Sequence, residues 1–180
     1  IDVIVVSSPN KFHKEQLVAA IEAGKHVYCD KPVVASLDDA RAVTDALALK
    51  EYKGKHQVAF QFRCFPATLR AKQLIDEGFF GRILHYRASY LHSSGIDPKK
   101  PMHWKSDKKR GGGGAFFDMG VHMLDLMSLY MGGIEAVQAV CRTFFKERPL
   151  AETGEIVPVE TEDAALTILR HTSGAIGLLD

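Results

Sequence analysis

Long apolar runs are missing from the 180 residues: no stretch approaches the ~20 residues of a membrane-spanning helix. No signal-peptide pattern is visible either. Cysteine is scarce. Cys29, Cys64 and Cys141 are odd in number, far apart and without a CxxC pair, which argues against a disulfide framework and against structural zinc. Three reduced thiols in a cytoplasmic protein are the expectation. Excess charge of either sign is also missing. With 23 Lys and Arg against 22 Asp and Glu, a net charge of +1 gives no electrostatic basis for nucleic acid or a membrane as partner. The run "KKPMHWKSDKKR" is basic, but short and isolated. Internal repeats and low-complexity tracts are absent.

What is present is ordinary globular composition, 46% hydrophobic and 25% charged, enough for one domain or two small ones. "VIVVS" (3–7) is a continuous apolar run, the pattern of a parallel strand buried on both faces. "KFHKEQLVAAIEAGK" reads as a helix with Leu17, Ala20, Ile21 and Ala23 inward and Gly24 as its C-cap. "HVYC" (26–29) is a second strand. "SLDDARAVTDALALK" is a second helix, with Ser36 as N-cap and Asp39 in a variant capping box. "HQVAFQF" (56–62) is a third strand. Strands and helices alternating at this spacing predict βαβ units and a parallel sheet.

After Phe65-Pro66 the character changes. "ATLRAKQLIDEGFFG" predicts a helix closed by Gly78 or Gly81. "RILHYRASYLHS", "IEAVQAVCRTFF" and "EDAALTILRH-TSG-AIGLL" then predict a mostly antiparallel sheet, the last pair a hairpin. The loop Ser93–Gly114 has a length typical of lids and binding loops. The chain opens on a strand without Met and stops inside another, so part of a longer protein is expected.

The segment "GGGGAFFDMGVHMLDLMSLYMG" (111–132) carries polar groups into an otherwise apolar helix. Asp118, His122 and Asp125 lie at about 0°, 40° and −20° around a regular helix, one narrow stripe. Buried polar groups without partners cost roughly 1–3 kcal/mol each. The three therefore satisfy one another and nearby backbone, or face a wet cavity that holds a ligand. In parallel α/β sheets ligands bind at the carboxyl ends of strands, where this chain places "SSPN", "CDKP" and "QFRCFP". Ser7, Ser8 and Asn10 offer groups to a ligand or form a capped turn. Asp30 and Lys31 form a solvated pair or part of a site. Arg63 bridges to a carboxylate or holds a ligand.

"SSPNKFHKEQLVAAIEAGKHVYCDKP" together with "GGGGAFFDMGVHMLDLMSLYMG" resembles the glucose–fructose oxidoreductase / inositol dehydrogenase / MocA family of nicotinamide-dependent oxidoreductases. The ordered set covers essentially the whole chain: a TPN-like turn, AGKHV, an EKP-like motif, a central R-F-x-P-like segment, a W-basic dipeptide and GGG-x-x-x-D-x-G-x-H. The resemblance implies an α/β then α+β fold. Residues 1–64 would be the second half of a Rossmann parallel sheet. Residues 65–180 would be a substrate and oligomerisation domain with a large, mainly antiparallel open sheet and flanking helices.

The same resemblance implies roles by position. Lys31 matches the EKP lysine that contacts substrate and nicotinamide; Asp118 and His122 match the D-x-G-x-H pair, with the histidine as proton acceptor. Ser8, Pro9, Asn10 and His13 match the turn along the cofactor, and Asp30 replaces the usual glutamate. Arg63 and the pair Trp104-Lys105 join the cofactor side; lysine there lacks the planar fork of the arginine common in relatives. Tyr90, His92, Asp97, His103 and Trp104 are the candidates for the substrate side. The cofactor implied is NAD or NADP, the substrate a sugar, polyol or inositol-like alcohol, and the assembly a dimer or tetramer through the open sheet. The glycine-rich G-x-G-x-x-G loop that would hold the pyrophosphate is not in this chain and is expected upstream. Two other classes fit parts of the same pattern. A non-catalytic cofactor-binding sensor is one. A metal-dependent hydrolase or isomerase using His122, Asp118 and Asp125 is the other, but a divalent site needs a further ligand, and no His/Glu cluster at ligand spacing supplies it.

Overall fold

Short β-rich runs alternating with Ala-rich helical segments build the first layer of the computed structural model, which describes residues 1–180. Strands β1 (Val3–Val6), β2 (His26–Cys29) and β3 (His56–Val58) pair in parallel in the order β1-β2-β3. Helices α1 (His13–Glu22) and α2 (Leu37–Leu47) connect them. The two helices share one core with the sheet, built from Val6, Leu17, Ile21, Val27, Cys29 and Val43. The Ser36 hydroxyl accepts from the Asp39 N–H at 3.1 Å and donates to its carboxylate at 2.8 Å, which fixes the start of α2.

Three expectations for this layer are corrected. The first strand is covered on one face only: Val3 and Val5 are 52% and 65% exposed, because both helices pack on the same side. Ala23 is exposed, because α1 ends at Glu22 and Ala23 is its C-cap. The third strand is also shorter than its apolar pattern. After Val58 the backbone turns at Phe60 (φ −88°, ψ 68°) into a 3-10 turn, Gln61–Cys64, that withdraws Phe60 and Phe62 from the sheet.

Helix α3 (Pro66–Asp76) starts on proline, whose missing N–H is an orphan there in any case. Beyond it come β4 (His85–Ala88), a short helix α4 (Lys108–Gly111), a π turn (Phe116–Gly120) and α5 (Val121–Met131). Strands β5 (Ile134–Arg142), β6 (Glu147–Pro149), β7 (Ile156–Pro158), β8 (Ala164–His171) and β9 (Ile176–Leu179) follow. A four-stranded open sheet has the order β4-β9-β8-β5, antiparallel except for the β4–β9 pair. On β8, Thr167, Leu169 and His171 are buried and Leu166, Ile168 and Arg170 exposed, the period-two alternation of a half-covered strand. The β6–β7 hairpin stands outside both larger sheets and was not anticipated. No helix is long and apolar enough to cross a membrane.

Candidate active site where the two sheets meet

Lys31 lies two residues past β2, at the carboxyl end of the parallel sheet. Its ammonium donates to the Asp118 carboxylate at 2.7 Å and to the Asp118 main-chain carbonyl at 2.6 Å. Lys105 donates to the same carboxylate at 2.9 and 3.0 Å. Two cations thus share one anion. Burial alone would raise the Asp118 pKa, but the hydrogen bonds and charges of Lys31 and Lys105 outweigh it and hold the carboxyl below its usual value.

His122, one turn on, is 5% exposed. Its ring stacks on Phe62 (centroids 4.5 Å apart) and meets Phe60 edge-on at 6.1 Å. Its Nδ1 is enclosed and has no hydrogen-bond partner. Burial, with Lys31 adding to it, lowers the His122 pKa from its usual value, which favours the neutral ring. Asp125 completes the stripe: Arg63 grips its carboxylate with Nε at 2.7 Å and Nη2 at 2.5 Å. Asp118, His122 and Asp125 therefore all meet residues of the 31–63 region. The helix bearing them is not regular, however, since Asp118 sits in the π turn and His122 in α5.

The glycine run that opens this helix is a cradle of N–H groups already filled by the protein itself. The Glu162 carboxylate accepts from Gly114 (2.9 and 3.0 Å), Phe116 (3.1 Å) and Phe117 (3.2 Å), and the Glu162 carbonyl accepts from Ala115 at 2.8 Å. An added Cβ at Gly114 would stand 1.9 Å from the Glu162 oxygen, and Gly112 has φ +88° with its Cβ position 2.5 Å from the Ala35 oxygen. Both positions require glycine.

The remaining expected residues are placed as follows. Asn10 is buried, and its amide donates to the Gly111 carbonyl at 2.8 Å, tying the first turn to the glycine run rather than capping α1 or facing a ligand. His13 is 0% exposed; its Nε2 faces the Ser8 carbonyl at 2.7 Å, and Nδ1 lies 3.2 and 3.1 Å from the Pro32 and Val33 carbonyls. It braces the strand-end turns and is closed to direct cofactor contact. Ser8 donates to Gln16 at 2.7 Å, Pro9 precedes a 3-10 turn, and Asp30 accepts from the Lys31 N–H at 2.8 Å. Arg63, expected beside the cofactor, has its fork taken by Asp125.

A cavity of about 530 Å³ is lined by Asp118, Lys105, His92, His103, Arg148 and Glu162 among others. Lys31 and His122 do not line it. Trp104 lies 5.7 Å from His103 and 5.8 Å from the Lys105 ammonium, ring centroids taken. Burial and the neighbouring Lys105 lower the His103 pKa. Tyr90 lines a smaller cavity of about 340 Å³ together with His92. Asp97 lines neither; its carboxylate accepts from the Lys99 N–H at 2.8 Å within its own turn. Glu162, Arg148, Phe60 and Phe62 were not foreseen. No local pattern announces them, since Glu162 meets a segment 45–48 residues away.

A parallel sheet with polar strand ends, apposed to an open sheet whose leading helix carries Asp and His, defines a two-part α/β protein of Rossmann type. Residues 1–59 match the oxidoreductase family with an NAD-binding Rossmann fold, and residues 68–180 match the GFO/IDH/MocA C-terminal domain. The chain belongs to the GFO/IDH/MocA oxidoreductase family. Levoglucosan dehydrogenase of Pseudarthrobacter phenanthrenivorans is 36% identical over 100% of this chain and 49% of its own length. The scyllo-inositol 2-dehydrogenase (NAD(+)) of Bacillus subtilis is 28% identical over 98% of this chain and 47% of its own length. A solved levoglucosan dehydrogenase in complex with NADH and levoglucosan superposes with a TM-score of 0.92 at 38% identity, covering 99% of this chain and 47% of that one. The chain spans about half the length of the curated relatives it matches.

Proposed function

We propose that this chain supplies the catalytic seam of an NAD(P)-dependent dehydrogenase acting on a secondary alcohol of a sugar, polyol or inositol-like substrate. The observation that carries the reading is the Lys31–Asp118 link beside a buried His122 whose Nδ1 has no hydrogen-bond partner. The nicotinamide would accept or return the hydride. The carboxyl ends of β1 and β2 fit such a group, because the exposed Asp30 and the half-buried Ser8, Pro9 and Lys31 sit where parallel sheets receive ligands. His122 takes the hydroxyl proton on a ring nitrogen as the alcohol is oxidised and returns it in the reverse direction; its lowered pKa favours the neutral ring that this task needs. Lys31 donates to the substrate oxygen as negative charge develops there. Asp118 anchors Lys31 and Lys105 and so sets where the ammonium points. His92, His103 and Lys105 offer hydrogen bonds on the cavity side, and Trp104 offers a ring beside them.

The domain boundary proposed with this reading is residue 65, and the exposed face of the open sheet, with Val140, Leu166, Ile168 and Ile176 outward, is the proposed homo-oligomer surface. A metal reading is not supported, since Asp118 is turned to two lysines and Asp125 to Arg63. The test is turnover of the full-length protein on a panel of sugars and polyols with NAD and with NADP. Cofactor binding without turnover on any substrate supports a sensor instead.

A further inference from the structure

We infer that Arg148 is a positioning residue that holds the substrate-side loop in its working shape. The inference rests on the dehydrogenase reading, in which His92, His103 and Lys105 meet the substrate from the wall of the 530 Å³ cavity, beside the Lys31–Asp118 link. Arg148 is 7% exposed and forms no ion pair, an unusual state for a guanidinium. Its donors go to main-chain carbonyls of a single loop: Nη2 to Gly95 at 2.6 Å, Nη1 to Asp97 at 2.8 Å and to Lys100 at 3.2 Å. The Phe145 ring lies 5.1 Å from the guanidinium carbon and covers it. The next residue adds a further clasp, since the Met102 N–H donates to the Pro149 carbonyl at 2.8 Å.

Those contacts give the isolated β6–β7 hairpin a purpose. It carries one rigid fork to three carbonyls of the 93–101 segment, of which only that of Asp97 has a second partner, the Lys100 N–H at 3.2 Å. The same segment supplies Ser94, Gly95, Ile96 and Lys100 to the cavity wall, and His92 and His103 flank it. Within the loop Arg148 bonds to backbone carbonyls alone, so it fixes the wall's shape whatever side chains the loop presents. Its loss frees the wall and weakens substrate binding, while Lys31, Asp118 and His122 keep their own contacts.

The test compares wild type, Arg148→Met and Arg148→Lys in the full-length protein. Three readouts are needed: KM and kcat for the best sugar or polyol, cofactor affinity, and the rate of tryptic cleavage after Lys99. The Arg148–Pro149 bond resists trypsin, so neither substitution removes a cleavage site. Arg148→Met should raise KM about tenfold, the worth of roughly one charge-assisted hydrogen bond, with kcat and cofactor affinity moving less than about twofold. Cleavage after Lys99 should accelerate by a similar factor. Arg148→Lys should fall between, because a single ammonium cannot reach three carbonyls at once. If Arg148→Met does not fold, Arg148→Lys decides, and wild-type KM and cleavage rate in that variant overturn the inference. Faster cleavage with unchanged KM overturns the role in substrate binding and leaves the dehydrogenase reading standing. Loss of cofactor affinity in step with KM overturns it too, as general loosening. Absence of turnover in wild type overturns the dehydrogenase reading instead, and the cleavage rates then decide whether Arg148 holds the loop.

Discussion

The Lys31 ammonium is held by both the carboxylate and the main-chain carbonyl of Asp118, 87 residues further along the chain. One cation thereby joins the end of a parallel strand to a π turn in the other half of the molecule. At 12% side-chain exposure for Lys31 and 26% for Asp118, the pair is only partly screened by water. Because Lys105 binds the same carboxylate, Asp118 is committed to organising charge and is unsuited to proton transfer.

That arrangement predicts an asymmetry between substitutions at Asp118. Asp118→Ala leaves two ammoniums without a counter-charge and should destabilise the fold by about 1–3 kcal/mol. Asp118→Asn keeps an acceptor and should cost less. Urea denaturation followed by circular dichroism measures both, and equal losses for the two variants would contradict the electrostatic account.

Glu162 should matter to stability far more than its place in a turn suggests. Removing its carboxylate in Glu162→Ala strands the N–H groups of Gly114, Phe116 and Phe117, at a cost of about 1–2 kcal/mol. Gly114→Ala should cost at least as much, since its Cβ would meet the Glu162 backbone at 1.9 Å. Denaturation midpoints within error of wild type for both variants would show that the cradle does not depend on this contact.

These two sites mark how far the sequence could be read. Apolar runs, caps and glycines located α1, α2, α3 and the β8–β9 hairpin, because those signals are local. Lys31, Asp118 and His122 stood out as charged or titratable groups in apolar or strand-end settings, and the fold brings them to one seam. His13, Arg63, Asn10 and Asp97 carried the right chemistry but are engaged by the protein itself. Their partners lie far off or in backbone carbonyls, which no spacing rule exposes. The π turn was invisible for the same reason: Glu162, from beyond β7, meets the N–H groups just ahead of it and of its first two residues.

Arg63 and Asp125 should be energetically coupled across the same seam. The guanidinium is half exposed and the carboxylate nearly buried, at 46% and 7% side-chain exposure. A double-mutant cycle with Arg63→Leu and Asp125→Leu should return a coupling of about 0.5–3 kcal/mol. Additivity of the two single losses would mean that the fork contributes nothing to the association of the two halves.

His122 should make stability rise with pH just below neutrality. Its folded pKa lies below the unfolded value of 6.5, because burial disfavours the charged ring. Between those two values the unfolded chain binds more protons, so the contribution is complete above 6.5 and is lost as pH falls through the folded pKa. His122→Phe should flatten that part of the stability curve. An unchanged slope in the variant would assign the pH dependence to another group.

The most direct measurement of the central claim compares kcat and cofactor affinity for wild type and His122→Asn in the full-length protein, on its best sugar or polyol substrate. Asparagine can hydrogen-bond to a substrate hydroxyl but cannot take its proton. The account predicts that kcat falls by about 10²–10⁴-fold while cofactor affinity stays nearly intact. A kcat close to wild type in His122→Asn would contradict it.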